Sequence, residues 1–434
     1  MSTLLQITTY GMKGLENEFT LDFCNLTIDR GFSKINKIKG IFGLNGAGKT
    51  SFISSVLYYK SIVTQPYFLT QTETIRLFDK LINKRRKEFY FSITFMYDER
   101  TALKHTIIVK KRNVTNDYVI EFEKLSLLSG RTLNESEKLI YKKENKSYVF
   151  NLENEFKYKD LFASNLDNST ILSAFINECL SKKKSSYINH PEKTDKYMVS
   201  IFSDIFMLNA FIEEGDKHNL VYFNVESLSK LFAKCLTNTL RIDENQNINI
   251  DDDIVPKKDI EKYKQDNMAL EKFIKIFKPE LKSIKLELSE DRDKYHIKRN
   301  FVYKYYTIES EYESSGIKQL VKLFSYFKKC AEGQIVFIDE VDVNINSIYF
   351  KKLISYFVNY GKGQFIFTTH NVDVMDELKH EKRSIVFMGD DNSTYTRVSH
   401  GNNSPRQEFL GGYIPNVTTN IEGFDFINIF EGEM

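Results

Sequence analysis

Residues 43–50 read GLNGAGKT, and this stretch satisfies the pattern G-x-x-x-x-G-K-[ST]. The segment INKIKGIF leads into it, and TSFISSVLYYKSIV follows with its apolar positions on one face. These neighbours predict a buried strand, a glycine-rich loop and a helix. In that setting the glycines let backbone N–H groups point into one concavity, and the positive end of the helix faces the same space. Residues 43–50 are therefore predicted to form a phosphate-binding loop.

The side chains of this loop have distinct expected roles. Lys49 should reach the β- and γ-phosphates of a nucleotide, and the hydroxyl of Thr50 should ligate Mg²⁺. A turn that merely links strand to helix is the alternative, and the flanking strand and helix argue against it. The other residues here that we expect to contact the nucleotide are Gly43, Asn45, Gly46, Ala47, Gly48 and Ser51.

A second stretch, residues 335–342, reads IVFIDEVD. Its first four residues are apolar and predict a central parallel strand that ends in Asp339 and Glu340. Asp339 is expected to hold Mg²⁺ through its water shell, and Glu340 to orient and polarise the attacking water. Adjacent carboxylates at a strand end can also be ordinary surface residues, but the phosphate-binding loop in the same chain favours a catalytic role.

A third stretch, residues 364–371, reads QFIFTTHN and repeats this scheme of a short buried strand that ends in polar residues. His370 is expected to contact the γ-phosphate and the water as a sensor. A single histidine after a strand is more often structural, so this interpretation rests on its place about thirty residues after the Asp-Glu pair.

A fourth stretch, residues 313–320, reads ESSGIKQL and leads into an apolar helix. Ser314 is a plausible N-cap, and the exposed amides of the helix start predict a second anion site. Taken alone, Ser-Ser-Gly before a helix is a routine capping sequence. Its position shortly before Asp339 favours the functional interpretation.

Composition sets limits on the class of protein. The chain has 434 residues, 41% of them hydrophobic, a length that favours two or three domains. The formal net charge is only +2, so the overall charge of the protein does not call for nucleic acid as a partner. The four cysteines lack the spacing of a zinc site or a disulfide framework, and no run of eighteen apolar residues occurs. We expect a cytoplasmic protein that does not associate with membranes.

The pattern along the chain predicts one core with an insertion. The start, LLQITTYGMKGLENEFTLDF, predicts a pair of antiparallel strands, and several alternating segments between residues 89 and 150 predict an antiparallel sheet. Residues 198–214, MVSIFSDIFMLNAFIEE, predict one continuous helix. No internal repeat and no sustained heptad pattern is evident.

Taken in order, the four stretches resemble the nucleotide-binding heads of ABC-type ATPases. The resemblance implies ATP and Mg²⁺ as cofactors. It also implies an α/β fold in which helices flank a mixed β-sheet. An antiparallel β subdomain and a helical insertion are added to this core. It divides the chain into residues 1–154 with the phosphate-binding loop, the insertion at residues 155–280, and residues 281–434 with the other three stretches.

The same resemblance implies a homo-oligomer, at least a dimer, joined through the heads. In such ATPases two heads sandwich two nucleotides. Ser314 and Gly316 stand at the serine and second glycine of the signature loop, which binds the γ-phosphate held by a partner subunit. Ser315 replaces the first glycine of that loop and Ile317 its usual polar residue. Lys13 stands where DNA-repair and chromosome-maintenance heads often carry a basic residue near the phosphates.

The closer resemblance is to the compact ATPases of bacterial abortive-infection and phage-defence systems, including the PARIS ATPase subunit, the Septu ATPase and the overcoming-lysogenisation-defect (OLD) proteins. The segments that carry it are ILSAFINE, ESSGIKQLVKLF, VFIDEVD, FTTHNVDVMD and RQEFLGGYIPNV. Some of these relatives continue into a Toprim nuclease, for which the 64 residues after His370 are too few. The resemblance therefore implies a sensor or regulatory subunit that holds or releases a separate effector, such as a nuclease, with a phage protein as a possible trigger.

Two other functions stay open at this point. One is a DNA-repair or recombination ATPase that clamps DNA with heads like those of the RecF and SMC proteins. The other is a nucleotide-dependent scaffold with negligible hydrolysis. Basic runs at residues 84–87 and 182–184 could contact DNA, although such runs are more often solvated faces, so DNA is a possible but not a required partner.

Overall fold

The structure is a computed structural model. It describes residues 2–24, 35–112, 115, 117–129, 136–145, 147–151, 167–181, 191–212, 228, 231, 232, 250, 254–381, 383–389, 394, 395 and 404–414. The basic run at residues 182–184 lies outside them. No helix in the described part of the chain combines the length and the apolar character needed to cross a membrane.

The strands, in chain order, are β1 (Leu4–Tyr10), β2 (Phe19–Asp22), β3 (Ile38–Phe42), β4 (Glu88–Met96), β5 (Thr101–Lys111), β6 (Tyr118–Ser129), β7 (Ser136–Glu144), β8 (Ser147–Phe150), β9 (Asn209–Phe211), β10 (Ile254–Pro256), β11 (Ser283–Asp291), β12 (Lys294–Val302), β13 (Thr307–Glu309), β14 (Ile335–Ile338), β15 (Gln364–Thr368), β16 (Ile385–Met388) and β17 (Thr394–Tyr395). The α-helices are α1 (Lys49–Thr64), α2 (Thr72–Leu81), α3 (Ile171–Leu180), α4 (Lys193–Phe206), α5 (Ile260–Phe277), α6 (Ser315–Ala331), α7 (Ser347–Tyr360), α8 (Met375–Leu378) and α9 (Pro405–Leu410).

A six-stranded sheet in the order β17-β16-β3-β15-β14-β9 carries the site. Its strands are parallel except for β17, which pairs antiparallel with β16. Every residue of β3, β14, β15 and β16 is buried, as expected for short apolar strands covered on both faces. Because parallel strands end at the same edge, the segments that follow β3, β14 and β15 come together there.

A seven-stranded antiparallel sheet in the order β2-β1-β4-β5-β6-β7-β8 forms the second layer. Helix α1 lies between it and the first sheet. The ring of Phe52 on α1 contacts Phe19 of the antiparallel sheet, with centroids 4.9 Å apart, and Phe337 of the parallel sheet at 6.2 Å. Farther along α1, Tyr59 stacks on Phe91 at 4.2 Å. The helix that follows the phosphate-binding loop is therefore fixed by aromatic packing on both sides.

A smaller sheet, β10-β12-β11 with β13 added to β12, packs with α5 and α6 into the second apolar cluster of the molecule. Strand β13 leads through a short 3₁₀ turn, Ser310–Tyr312, into α6. This sheet therefore positions the start of α6, where Ser314 and Gly316 lie.

The predicted α/β fold is confirmed, with its mixed sheet, flanking helices and separate antiparallel sheet. The initial strand pair is also confirmed, because β1 and β2 pair antiparallel. The prediction of one helix over residues 198–214 is wrong: α4 ends at Phe206, and β9 follows as the edge strand beside β14. Strand β9 lies within the predicted insertion, residues 155–280, and the three-part division of the chain remains a prediction.

Candidate nucleotide-binding site

The backbone of the phosphate-binding loop depends on its glycines. Gly46 has φ of 87° and Gly48, the N-cap of α1, has φ of 104°; both values lie in the left-handed region that favours glycine. Gly43 is needed for a different reason: a Cβ atom there would lie 2.5 Å from the carbonyl oxygen of Met388. The loop is thus packed against the end of β16 and turns sharply into α1.

Lys49 lies inside the curve of this loop. Its ammonium group donates hydrogen bonds to the carbonyl oxygens of Gly43, at 2.9 Å, and Leu44, at 2.8 Å. The residue is only 5% exposed. Burial lowers its pKa, and the charges of Asp339 and Glu340 act in the opposite direction. The lysine of the first stretch and the carboxylates of the second are therefore close enough to interact.

The carboxylate of Asp339 is held by Thr368, the last residue of β15. The Thr368 hydroxyl donates to Asp339 Oδ1 at 2.6 Å and accepts from the backbone N–H of Glu340 at 2.8 Å. The Asp339 N–H in turn donates to the carbonyl oxygen of Phe211 at 3.0 Å, which ties it to β9. Asp339 is 8% exposed, whereas Glu340 is exposed and has φ of 45°. The strained backbone thus turns Glu340 outward at the end of the buried strand.

His370 lies at the same edge and keeps solvent access. Partial burial lowers the pKa of His370, and the positive charge of Lys49 lowers it further. The carboxylates of Glu340, Asp342 and Asp339 act in the opposite direction. An open cleft of about 200 Å³ separates the histidine loop from the phosphate-binding loop, and its lining residues are Phe42, Gly43, Leu44, Asn45, Thr369, His370, Val372 and Phe409. The three predicted stretches therefore meet in one place.

The start of α6 has the predicted position but not the predicted cap. Ser314 is the N-cap residue, yet its side chain makes no capping hydrogen bond. Instead the Glu313 carboxylate accepts from the Ser314 N–H at 2.9 Å and from the Tyr303 hydroxyl at 2.5 Å. Ser314 and Ser315 are exposed, so their side chains face away from the core.

Gly316 lies beside the segment that follows the Asp-Glu pair. A Cβ atom at Gly316 would be 3.3 Å from the carbonyl oxygen of Asn344, and no described atom of the phosphate-binding loop lies within 4 Å of it. The structure therefore brings Gly316 to Asn344, not to the loop that holds Lys49 in the same chain.

Lys13 lies in a turn that reaches the phosphate-binding loop. Its φ is 45°, and its carbonyl oxygen accepts from the side-chain amide of Asn83 at 2.8 Å. The next residue, Gly14, approaches the loop closely: a Cβ atom there would lie 3.4 Å from the Gly46 carbonyl oxygen. The turn is thus close to the site, while a contact between Lys13 and phosphate remains a prediction.

The donor groups at this edge suit a magnesium nucleotide. Hydroxyl and carboxylate oxygens, here of Thr50 and Asp339, are the ligands that Mg²⁺ prefers, with nucleotide phosphates and water completing its shell. The loop and the N-terminus of α1 supply backbone N–H groups for phosphate. Sequence reasoning missed Thr368, which looks like an ordinary residue of a β-strand, and Phe409, which is far along the chain from the other cleft residues.

The sequence also matches a known protein family. Residues 38–376, most of the chain, match the family described as "AAA domain, putative AbiEii toxin, Type IV TA system". No curated protein matches the sequence significantly.

Three solved structures illustrate the more distant similarities. An Smc head domain with an extended coiled coil, bound to the C-terminal domain of ScpA and derived from Pyrococcus furiosus, is 12% identical, with 91% of this chain and 97% of that chain covered and a TM-score of 0.43. The recombination mediator protein RecF is 11% identical, with 90% and 97% covered and a TM-score of 0.37. A dimeric bacterial ABC transporter cassette is 10% identical, with 92% and 100% covered and a TM-score of 0.29.

Proposed function

Because the chain belongs to this AAA-domain family of P-loop ATPase type, we propose that it binds and hydrolyses ATP as the regulatory subunit of an anti-phage, abortive-infection system. In this role it senses infection and holds or releases a separate toxic effector, such as a nuclease. The observation that carries the ATPase part of the proposal is the convergence of Lys49, Asp339, Glu340 and His370 at one sheet edge.

Each of these residues has a defined task in the proposed reaction. Lys49 neutralises the β- and γ-phosphates, and Thr50 and Asp339 hold the magnesium ion that offsets the phosphate charge. Glu340 orients and polarises the attacking water, which its exposure to solvent allows. His370, which lines the cleft together with Leu44 and Asn45 of the phosphate-binding loop, contacts the γ-phosphate.

The proposal includes a dimer in which each site is shared. Ser314 and Ser315 are exposed, and Gly316 is close to Asn344 of its own chain, not to its own phosphate-binding loop. The Ser314 N–H already donates to Glu313, but the N–H groups that follow it in the first turn of α6 are suited to bind an anion presented by another molecule. The Ser314–Gly316 segment of one subunit would therefore complete the site formed by Lys49 and Glu340 of the other.

The defence role is supported by the family description, which names a toxin and a toxin–antitoxin system. It is also supported by the resemblance of the signature, Asp-Glu and histidine segments to defence ATPases. Within the described residues, the basic run at 84–87 does not favour the alternative of a DNA clamp. In the basic run at residues 84–87, Arg85 pairs with Glu16 at 3.1 Å, and Arg86 Nε donates to the Glu16 carbonyl oxygen at 2.8 Å. These cations are thus already engaged with the protein's own surface.

Steady-state ATP hydrolysis by purified wild type, Lys49→Ala and Glu340→Gln tests the enzymatic part. We expect Lys49→Ala to lose binding and turnover, and Glu340→Gln to bind ATP but lose turnover by at least about 100-fold. Surface substitutions of the same kind, Lys362→Ala and Glu332→Gln, are the controls and should leave both unchanged. Wild-type turnover in Glu340→Gln would remove the catalytic assignment.

The regulatory part needs a cellular test. Expression of the chain with its neighbouring genes in bacteria should reduce phage plaque formation, and Lys49→Ala should abolish that protection while protein levels stay equal. Full protection by Lys49→Ala would show that nucleotide binding does not control the defence. Salt-sensitive DNA binding by the isolated chain, strengthened by ATP, would instead favour the clamp.

A further inference from the structure

The short helix α9 forms one wall of the cleft that holds His370. Phe409 lines this cleft together with Leu44 and Asn45 of the phosphate-binding loop. Its ring stacks on Phe387 of β16, with centroids 5.6 Å apart and planes within 18°. A segment far from the other site residues in sequence is therefore packed against the side of the cleft.

An ion pair joins the same helix to the loop that carries His370. Arg406 Nη2 lies 2.6 Å from Asp373 Oδ1, and Arg406 Nη1 lies 3.6 Å from Asp376 Oδ2. Asp373 is three residues beyond His370, in the 3₁₀ turn Val372–Val374. The guanidinium therefore contacts the loop immediately after the predicted sensor.

The second oxygen of Asp373 extends this contact to α7. Asp373 Oδ2 accepts from the hydroxyl of Ser347, the first residue of α7, at 3.3 Å. The Asn371 side-chain amide donates to the same hydroxyl at 3.0 Å, and the Asn371 N–H donates to Thr369 Oγ1 at 2.9 Å. The residues on both sides of His370 are thus linked to the helix that follows the Asp-Glu pair, and Arg406 is attached to the same network.

We propose that Arg406 is a positioning residue for recognition of the γ-phosphate: through Asp373 it fixes the histidine loop between α7 and α9 so that His370 faces the cleft. This inference rests on the proposed function, since it assigns Arg406 to the same nucleotide site. It adds a residue and a segment, α9, that none of the four sequence stretches contains. Because the network touches only the His370 side of the cleft, Arg406 should matter for ATP and not for ADP.

The exposure of this ion pair makes the idea testable by substitution. The side chains of Arg406, Asp373 and Asp376 are between 34% and 39% exposed. Ion pairs that are exposed to this degree are screened by water and contribute little to overall stability. Variants of Arg406 are therefore expected to fold, which separates an effect on nucleotide recognition from an effect on folding.

The experiment compares the affinities of ADP and of a non-hydrolysable ATP analogue for the full chain by calorimetry with Mg²⁺ present. In Arg406→Ala we expect the analogue to bind about fivefold more weakly, or worse, and ADP to stay within about twofold of wild type. Asp373→Asn should act in the same way, and Arg406→Lys should recover part of the loss. Arg100→Ala, in an exposed turn, is the control and should bind both ligands normally.

Each other result has a defined meaning. An Arg406→Ala protein with the wild-type ratio of the two affinities would overturn the inference, and so would an equal loss for both ligands, which indicates a merely structural role. Wild-type protein that binds both nucleotides equally well would overturn it as well, while the proposed nucleotide site would stand. Failure of the wild type to bind either nucleotide would remove the proposed function and the inference with it.

Discussion

The hydroxyl of Thr368 lies 2.6 Å from the carboxylate of Asp339, across the pairing of β15 with β14. The same hydroxyl accepts the N–H of Glu340 at 2.8 Å. One buried side chain therefore orients the predicted magnesium carboxylate and the backbone of the predicted catalytic glutamate together. Because a hydroxyl can donate and accept at once, threonine can satisfy both partners, which valine cannot.

The first prediction concerns this hydroxyl. Thr368→Val keeps the volume of the side chain but leaves Asp339 and the Glu340 N–H without their shared partner. Loss of such buried hydrogen bonds costs about 1–3 kcal/mol, so we expect turnover of ATP to fall about 10- to 100-fold. Thr368→Ser retains the hydroxyl and should stay close to wild type. Equal turnover in Thr368→Val and wild type, measured at saturating ATP, would contradict the assigned role.

The fold was predictable from the sequence where its signal is local. Strand β3 and helix α1 flank residues 43–50, whose pattern of glycines, lysine and threonine calls for a strand before it and a helix after it. Strand β9 was not predictable in this way. Its three residues continue the apolar pattern of α4, and it becomes a strand because its backbone pairs with β14, as in the bond from the Asp339 N–H to the Phe211 carbonyl oxygen.

The site was predictable to the extent that a residue type has one characteristic use. Lys49 and the Asp-Glu pair could be assigned because few other roles explain them in that order. Thr368 could not, since threonine is common in β-strands and its role depends on the register between β15 and β14. At Ser314 the position was right and the chemistry differed: its side chain makes no capping hydrogen bond, and its backbone N–H donates to the Glu313 carboxylate.

The second prediction separates two glycines of the phosphate-binding loop. A methyl group at Gly43 would meet the Met388 backbone oxygen at 2.5 Å, and a backbone atom of β16 cannot easily move away. A methyl group at Gly46 would meet nothing within 4 Å, although φ of 87° there disfavours alanine. We expect Gly43→Ala to lower the free energy of unfolding by about 2–3 kcal/mol and Gly46→Ala by about 1 kcal/mol. Chemical denaturation without nucleotide measures both, and a larger loss in Gly46→Ala would contradict the packing described for Gly43.

The third prediction concerns Lys39, a fully buried residue of β3. Its ammonium group donates to the carbonyl oxygen of Arg383. Burial lowers its pKa from the usual 10.5 to about 7, with smaller effects from the nearby charges of Asp22, Arg383 and Cys24. At a pH between these two pKa values, Lys39 is protonated in the unfolded chain but not in the folded chain. Stability should therefore rise with pH above about 7, by at most about 1.4 kcal/mol per pH unit from this group.

Urea denaturation at pH 7 and pH 9 tests this assignment. The increase in unfolding free energy between the two values should be smaller in Lys39→Met than in wild type. Lys37→Met, which removes an exposed lysine two residues earlier, should keep the wild-type increase. An unchanged increase in Lys39→Met would mean that Lys39 stays protonated in the folded protein up to pH 9.

The fourth prediction concerns the sharing of sites between subunits. We assume that the Ser314–Gly316 segment of one subunit binds the nucleotide held by its partner. A Lys49→Ala subunit then still supplies an intact start of α6, and a Ser314→Arg subunit still supplies an intact phosphate-binding loop. Each variant alone should be inactive. In an equal mixture, half of the dimers contain one subunit of each variant. Each of these mixed dimers has one intact site out of two. Up to about a quarter of wild-type turnover should therefore return.

A matched mixture distinguishes this arrangement from simple stabilisation of one variant by another. Lys49 and Glu340 act in the same site of the same chain, because the two side chains are close enough for the charge of Glu340 to oppose the lowering of the Lys49 pKa by burial. A mixture of Lys49→Ala with Glu340→Gln therefore contains no intact site in any dimer and should stay inactive. Recovery in both mixtures, or in neither, would argue against a nucleotide held between the loop of one subunit and the α6 start of its partner.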